Sequence, residues 1–106
     1  MAKYLFQGSY TEQGTKGLLK DGGTKRRQVV EQLVKGLGGT LEVFYYAFGK
    51  NDFFIIADLP DGTDAMAVSL AVNASGAVTA GTTVLITPEE VDRATKKTVQ
   101  YRAPGQ

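Results

Sequence analysis

Five basic residues around a Gly-Gly pair form the arrangement that most favours binding chemistry in this chain. The pair is Gly22-Gly23, and the basic residues are Lys16, Lys20, Lys25, Arg26 and Arg27. The last three begin a predicted helix, where cations oppose the helix dipole. A bound carboxylate or phosphate would reverse that cost, because free backbone N–H groups and arginines would point at it. The alternative is a set of solvated charges, paired with Asp21 and Glu31 or with a second subunit.

A second candidate cluster lies at the end of a predicted hairpin. It contains Tyr45, Tyr46 and Asp52, and Tyr10 is expected nearby. A carboxylate beside phenols under an apolar sheet has the elements of a general base with a raised pKa, so Asp52 is the weak catalytic candidate. The alternative is that Asp52 binds backbone N–H groups of the turn while the tyrosines pack in the core. The two clusters together give the predicted ligand-binding residues Tyr10, Lys16, Arg26, Arg27, Tyr46 and Asp52.

Several chemistries are excluded or disfavoured by composition. The chain has no cysteine and no histidine, which removes disulfides, a Cys nucleophile and the usual zinc and haem ligands. We predict no cofactor and no metal. Gly17 and Gly22 stand five apart as in a P-loop, but Gly23 occupies the position of the required lysine. Gly14-Thr15-Lys16-Gly17 is a GxxG as in KH modules, although it does not join two helices of that fold.

The net charge of +1 gives no field that would attract nucleic acid or a membrane, so neither is a predicted partner. The chain has no apolar leader and no run of about 20 apolar residues. From these features we expect a cytoplasmic protein.

Hydrophobic periodicity predicts an α+β fold of four strands and two main helices. Strands are expected at residues 3–10, 40–48, 52–59 and 77–86, and helices at residues 25–37 and 63–73. Residues 11–23, rich in glycine, are predicted to be a loop with at most a turn of helix near Lys16 to Leu19. Thr24 is the predicted N-cap of the first main helix, and Asp61 or Thr63 that of the second.

Thr87-Pro88-Glu89-Glu90 predicts the start of a short third helix that runs to about Lys97. Residues 1–97 therefore form the predicted domain, and residues 98–106 an extended or flexible tail. The order of the elements is that of the ferredoxin-like split βαβ fold, βαββαβ, followed by a short helix.

Both faces of the predicted sheet are apolar. In the second strand Leu41, Val43, Tyr45 and Ala47 are expected on one face, and Phe44, Tyr46 and Phe48 on the other. Two helices cross only one face, so the other would expose an apolar patch of several hundred Å². Pairing with a second copy through this face is the expected solution, and a homodimer or larger homo-oligomer is the predicted partner state. The alternative is a sheet that stays partly exposed.

The motifs in their order resemble those of GYD-domain proteins over about residues 3 to 90. Tyr10-Thr11-Glu12-Gln13-Gly14 resembles the family's YT-x-x-G segment, and Phe48-Gly49-Lys50-Asn51-Asp52 its G-x-Y-D hairpin. Arg26 precedes Gly38-Gly39 as the family's helix arginine precedes its GG pair. The family's PD motif resembles Asp58-Leu59-Pro60-Asp61, and its helix of small residues resembles the Ala-rich helix that ends at Ser75-Gly76. The family tyrosine of the hairpin is Asn51 here, so a role that depends on that phenol is not expected of this chain.

The resemblance implies a dimeric α+β barrel in which two sheets face each other and ligand pockets lie between sheet and helices. It does not choose a function, because one fold hosts many activities. We expect a non-enzymatic module that binds a small anionic or aromatic ligand. The alternatives are a cofactor-independent monooxygenase or isomerase of an aromatic or polyketide-like substrate, and a structural protein that assembles through its third helix and tail.

Overall fold

Four antiparallel strands form one sheet with the order β2-β3-β1-β4. In the computed structural model, which describes residues 1–106, β1 (Ala2–Tyr10) lies between β3 (Phe53–Leu59) and β4 (Val78–Leu85), and β2 (Thr40–Tyr46) is the other edge. The pairing runs from Ala2 opposite Leu59 to Gly8 opposite Phe53 on one side of β1. This strand order confirms the predicted α+β, ferredoxin-like fold class.

The first helix, α1 (Glu12–Asp21), occupies the segment that was predicted to be a loop. That prediction was wrong because it weighed only the intrinsic cost of glycine in a helix, about 1 kcal/mol per residue. Thr11 caps the helix by accepting a hydrogen bond from the Gly14 amide at 3.2 Å. Gly14 is itself buried, since the helix packs its backbone closely against the chain before β4.

The second helix, α2 (Gly23–Gly36), follows α1 after a single residue. Gly22 joins the two helices with a φ of 83° and is the N-cap of α2, without a side-chain cap. The prediction of Thr24 as the N-cap was therefore wrong, because the left-handed glycine turns the chain two residues earlier.

The remaining helices begin as the capping signals indicated. Asp61 caps α3 (Gly62–Ala74) in a capping box with Asp64. Thr87 caps α4 (Pro88–Thr95) in a second box, in which Glu90 bonds back to the Thr87 amide at 3.0 Å. The helix ends two residues before the predicted Lys97.

A β-bulge in β2 changes which side chains share a face. The register shifts between Leu41 and Val43, so Leu41 pairs with Ala57 and Val43 with Ile56. Leu41 thus joins Phe44 against the core, and its predicted place beside Val43 was wrong, because a bulge breaks the alternation of two. The strand also ends at Tyr46, and Phe48 is fully exposed beyond it.

The core lies between the helices and one face of the sheet, which we call the helix face. Alternate residues of β3 are buried there from Phe53 to Leu59, and β1 contributes Tyr4 and Phe6. Val34 of α2 and Ala65 of α3 complete the set of buried side chains. Helices α2 and α3 each pack mainly on their own half of the sheet, α2 on β2 and α3 on β4.

The opposite face of the sheet, the open face, carries no helix. Its apolar side chains are Leu5, Val43, Tyr45, Phe54, Ile56 and Leu85. Tyr45 is the most exposed of these, at 69%. At one end of this face, Lys3 bridges Glu42 at 2.6 Å and Asp58 at 3.2 Å. The open face therefore has an apolar centre and a charged margin.

Residues 86–106 form a C-terminal arm that extends away from the rest of the chain. Every residue from 88 to 102 is exposed, and α4 makes no substantial packing with sheet or helices. The chain measures 56 × 32 × 23 Å, and its radius of gyration is 16.9 Å. A compact chain of about 100 residues has a radius of about 13 Å, so the arm accounts for the elongation.

Candidate functional site

A cavity of about 460 Å³ lies between the helix face and helices α1, α2 and α3. It exists because α2 and α3 sit on opposite halves of the sheet and leave a gap between them. Aromatic and aliphatic side chains form most of its wall. From the sheet these are Phe6, Phe44, Phe53 and Ile55, and from the helices Val30, Leu33, Val68 and Val72. The volume is that of a site for a small organic molecule.

A polar group of side chains interrupts this apolar wall where α1 gives way to α2. Tyr10, Asp21 and Arg26 all line the cavity there. Asp21 pairs with Lys25 at 3.7 Å, whereas Arg26 has no ion pair in the structure and is only partly exposed. Arg26 is thus a cation without a protein counter-ion beside an apolar space.

The phenol of Tyr10 stays neutral at physiological pH. Burial is the main cause that raises the pKa of Tyr10 to about 12, with smaller contributions from the neighbouring Tyr46 and Asp52, while the Arg26 guanidinium opposes the rise. The Tyr10 ring packs on Phe53 with centroids 5.4 Å apart. A neutral phenol held in this way is a hydrogen-bond donor next to the Arg26 charge.

Tyr46, on the edge strand, lies beside Tyr10 but outside the cavity lining. Its hydroxyl donates to the Gly23 carbonyl at 3.0 Å and so ties β2 to the start of α2. A Cβ at Gly23 would lie 3.0 Å from the Tyr46 ring. The Gly22-Gly23 pair was expected to admit a ligand close to the backbone, but at Gly23 the close neighbour is this ring.

Asp52 lies just before β3 and holds the hairpin against β1. Its carboxylate accepts from the Tyr10 amide at 2.9 Å, and its own amide donates to the Gly8 carbonyl at 2.7 Å. The carboxylate thus accepts from a backbone N–H group, as in the alternative of the sequence analysis, but that group belongs to β1 and not to the turn. Asp52 does not line the cavity, so its contact with the site is through the backbone of Tyr10.

The two remaining predicted residues lie away from the cavity. Lys16 pairs with Glu12 at 3.2 Å on the exposed side of α1. Arg27 faces a shallow depression between α2 and β2, together with Glu31 and Glu42. The structure therefore brings together Tyr10, Arg26 and Tyr46 and separates them from Lys16 and Arg27.

The cavity lining includes residues that the sequence did not single out, among them Gln13, Val68, Val72 and Ser75. Gln13 was missed because α1 was predicted to be a loop. The cavity itself depends on the gap between α2 and α3, which no local pattern specifies. The small side chains of α3 were the one sequence feature that indicated a cavity beneath this helix. No group of three or more acidic residues is placed to hold a metal ion.

Fold and site together describe an α+β protein with an apolar cavity beneath its helices. A model of the GYD domain family matches residues 4–95, so the chain belongs to the GYD domain family. No curated protein and no solved structure matches the chain. No helix combines the length and apolar composition needed to cross a membrane.

Proposed function

We propose that this protein is a binding module for a small, mainly apolar or aromatic molecule that carries one anionic group. The observation that carries the proposal is the unpaired Arg26 beside an apolar cavity of about 460 Å³. The apolar part of the ligand would lie against Phe44, Phe53 and the aliphatic side chains of α2 and α3. Its carboxylate or phosphate would form a charge-assisted hydrogen bond with the Arg26 guanidinium.

Two further features support an anionic group at this end of the cavity. The neutral Tyr10 phenol lines this end of the cavity and supplies a hydrogen-bond donor. Helix α2 begins next to the same end without a side-chain cap and without an acidic residue in its first turn. The positive end of its dipole therefore adds to the attraction of an anion.

A fluorescent probe of the same chemistry tests the proposal. Anilinonaphthalene sulfonate combines an aromatic body with one anionic group, and its emission rises on entering an apolar site. Arg26→Gln is expected to weaken its binding about 10-fold, the value of a charge-assisted hydrogen bond. Arg27→Gln is the matched control, because it removes the same charge one residue away and outside the cavity. Equal binding by the two variants would contradict the proposal.

We also propose that the protein works as a homo-oligomer joined through the open face. An apolar centre with a charged margin is the composition of a protein interface. Tyr45→Glu, at an exposed position that the fold tolerates, is expected to produce monomers in sedimentation velocity. Tyr45→Phe keeps the ring and should remain associated. A wild-type chain that sediments as a monomer would refute this part of the proposal.

A further inference from the structure

The open face alone is smaller than a standard protein interface. The strands have seven to nine residues, so the sheet is about 23–30 Å long and about 19 Å wide, and each open face covers about 440–570 Å². Two facing sheets would cover about 900–1,150 Å², below the roughly 1,200–2,000 Å² of a standard interface. A stable pair therefore needs further contact surface.

The C-terminal arm presents apolar side chains that nothing in its own chain covers. Val99 is 76% exposed and Tyr101 75%, and Val91 on α4 is also exposed. Val99 and Tyr101 alternate with Thr98, Gln100 and Arg102, so an extended segment places both apolar side chains on one side. No backbone hydrogen bond within the chain engages residues 98–102.

The junction of the arm with the sheet holds it away from its own chain. Only Ile86 and Thr87 separate the end of β4 from the start of α4. The capping box fixes the direction of the helix, with the Glu90 amide on the Thr87 hydroxyl at 3.1 Å and Pro88 in the first turn. The arm leaves the sheet from the edge strand β4, and α4 makes no substantial packing with its own chain.

We infer that the arm docks on a second copy of this chain, at the margin of that copy's open face, and that the two arms are exchanged about a two-fold axis. This inference rests on the self-association proposed above. A chain that carries both an uncovered Tyr45 on the β2 side of its open face and an uncovered apolar arm covers both when two copies pair. Each arm, about 10 Å wide and about 40 Å long, would add about 400 Å² of arm surface, which brings the pair into the range of stable interfaces.

The receiving side is the β2 edge, near Tyr45. The other edge strand, β4, is partly closed, because the Asn73 side chain bonds both the amide and the carbonyl of Ala80, at 2.9 and 3.1 Å. No side chain closes β2 in this way, and an unblocked edge accepts an extended segment. Residues 98–102 have the free backbone groups for such pairing.

Sedimentation of full-length variants tests the arm separately from the open face. The double variant Val99→Asp with Tyr101→Asp is expected to raise the dimer dissociation constant about 10–100-fold, because two apolar contacts are lost. Gln100→Asp is the matched control on the other side of the segment and should stay within a few-fold of wild type. Dimers that need Tyr45 but tolerate the double variant would overturn the arm exchange and leave the paired sheets standing. A monomeric wild type would overturn both, and neither result bears on ligand binding in the cavity.

Spin labelling locates the arm directly, since the chain has no cysteine of its own. A nitroxide at Gln100→Cys, mixed with isotope-labelled chains that carry no nitroxide, is expected to broaden the amide signals of β2 around Tyr45 in the labelled partner. A nitroxide at Lys35→Cys, on the outer side of α2, should not. Broadening seen only when both labels share one chain would overturn the inference, and so would broadening confined to the outer side of α3.

Discussion

Gly14 is the position where a single added methyl group should push helix α1 away from the chain before β4. Both segments line the cavity. A Cβ there would lie 1.9 Å from the carbonyl oxygen of Ala77 and 2.8 Å from its carbonyl carbon. Both atoms are backbone, so relief requires α1 to move by about 1 Å or more from the chain before β4. That movement breaks the bonds from the Thr11 amide to the Ala77 carbonyl, at 3.0 Å, and from the Thr11 hydroxyl to the Gly76 carbonyl, at 2.7 Å.

The cost of Gly14→Ala follows from these terms. Loss of the two Thr11 bonds leaves polar groups unpaired and costs about 1–3 kcal/mol for each bond. The higher helix propensity of alanine offsets about 1 kcal/mol of this. We therefore expect Gly14→Ala to lower the free energy of unfolding by about 1–5 kcal/mol. Gly17→Ala lies one turn further on in the same helix with nothing within 4 Å of its Cβ, and it should raise stability by up to about 1 kcal/mol.

Urea unfolding followed by circular dichroism measures both variants under the same conditions. The expected signs are opposite, so the pair removes any general effect of alanine in α1. A Gly14→Ala protein that is as stable as wild type, or that gains as much as Gly17→Ala, would refute the packing of α1 on the chain before β4.

Three further changes test the rest of the fold. The folded-state pKa of Tyr10, about 12, lies above the 10.0 of a free phenol, so the contribution of this phenol to stability is complete below about pH 10 and is lost as pH rises through about 12. Urea unfolding should show the wild type losing more stability than Tyr10→Phe over that range. Parallel losses would contradict the burial of the phenol. Leu59→Ala removes a fully buried side chain and should cost about 2–5 kcal/mol in urea unfolding, against less than about 0.5 for the exposed Leu19→Ala. Asn73→Ala should cost about 1–2 kcal/mol and speed amide exchange at Ala80, because the side chain bonds both backbone groups of Ala80; unchanged exchange at Ala80 would count against this role.

The sequence predicted the fold well where a local signal decides the structure. The caps at Asp61 and Thr87 are read directly from side chains that bond nearby amides. Helix α1 was missed because its glycines are accepted for tertiary reasons, above all the contact of Gly14 with the Ala77 backbone. The bulge after Leu41 was missed because periodicity assumes an unbroken ladder.

The candidate site was predictable in its residue types and less so in its extent. Tyr10, Arg26 and Tyr46 were named from charge, aromaticity and spacing. The structure places Tyr10 and Arg26 in the cavity wall and Tyr46 beside Tyr10, outside the lining. Lys16 and Arg27 share the charge of Arg26 but lie on other sides of their helices. Which side of a helix faces a cavity depends on how far two helices stand apart, and that distance is a property of the packed chain.

Methyl NMR tests most directly whether the cavity binds an aromatic anion. We predict that 1-naphthoate shifts the methyl signals of Val30, Leu33, Val68 and Val72, which line the cavity, and that neutral 1-naphthylmethanol does so more weakly. Shifts confined to Val43 and Leu85, on the open face, would contradict the account, and so would equal binding of the acid and the alcohol.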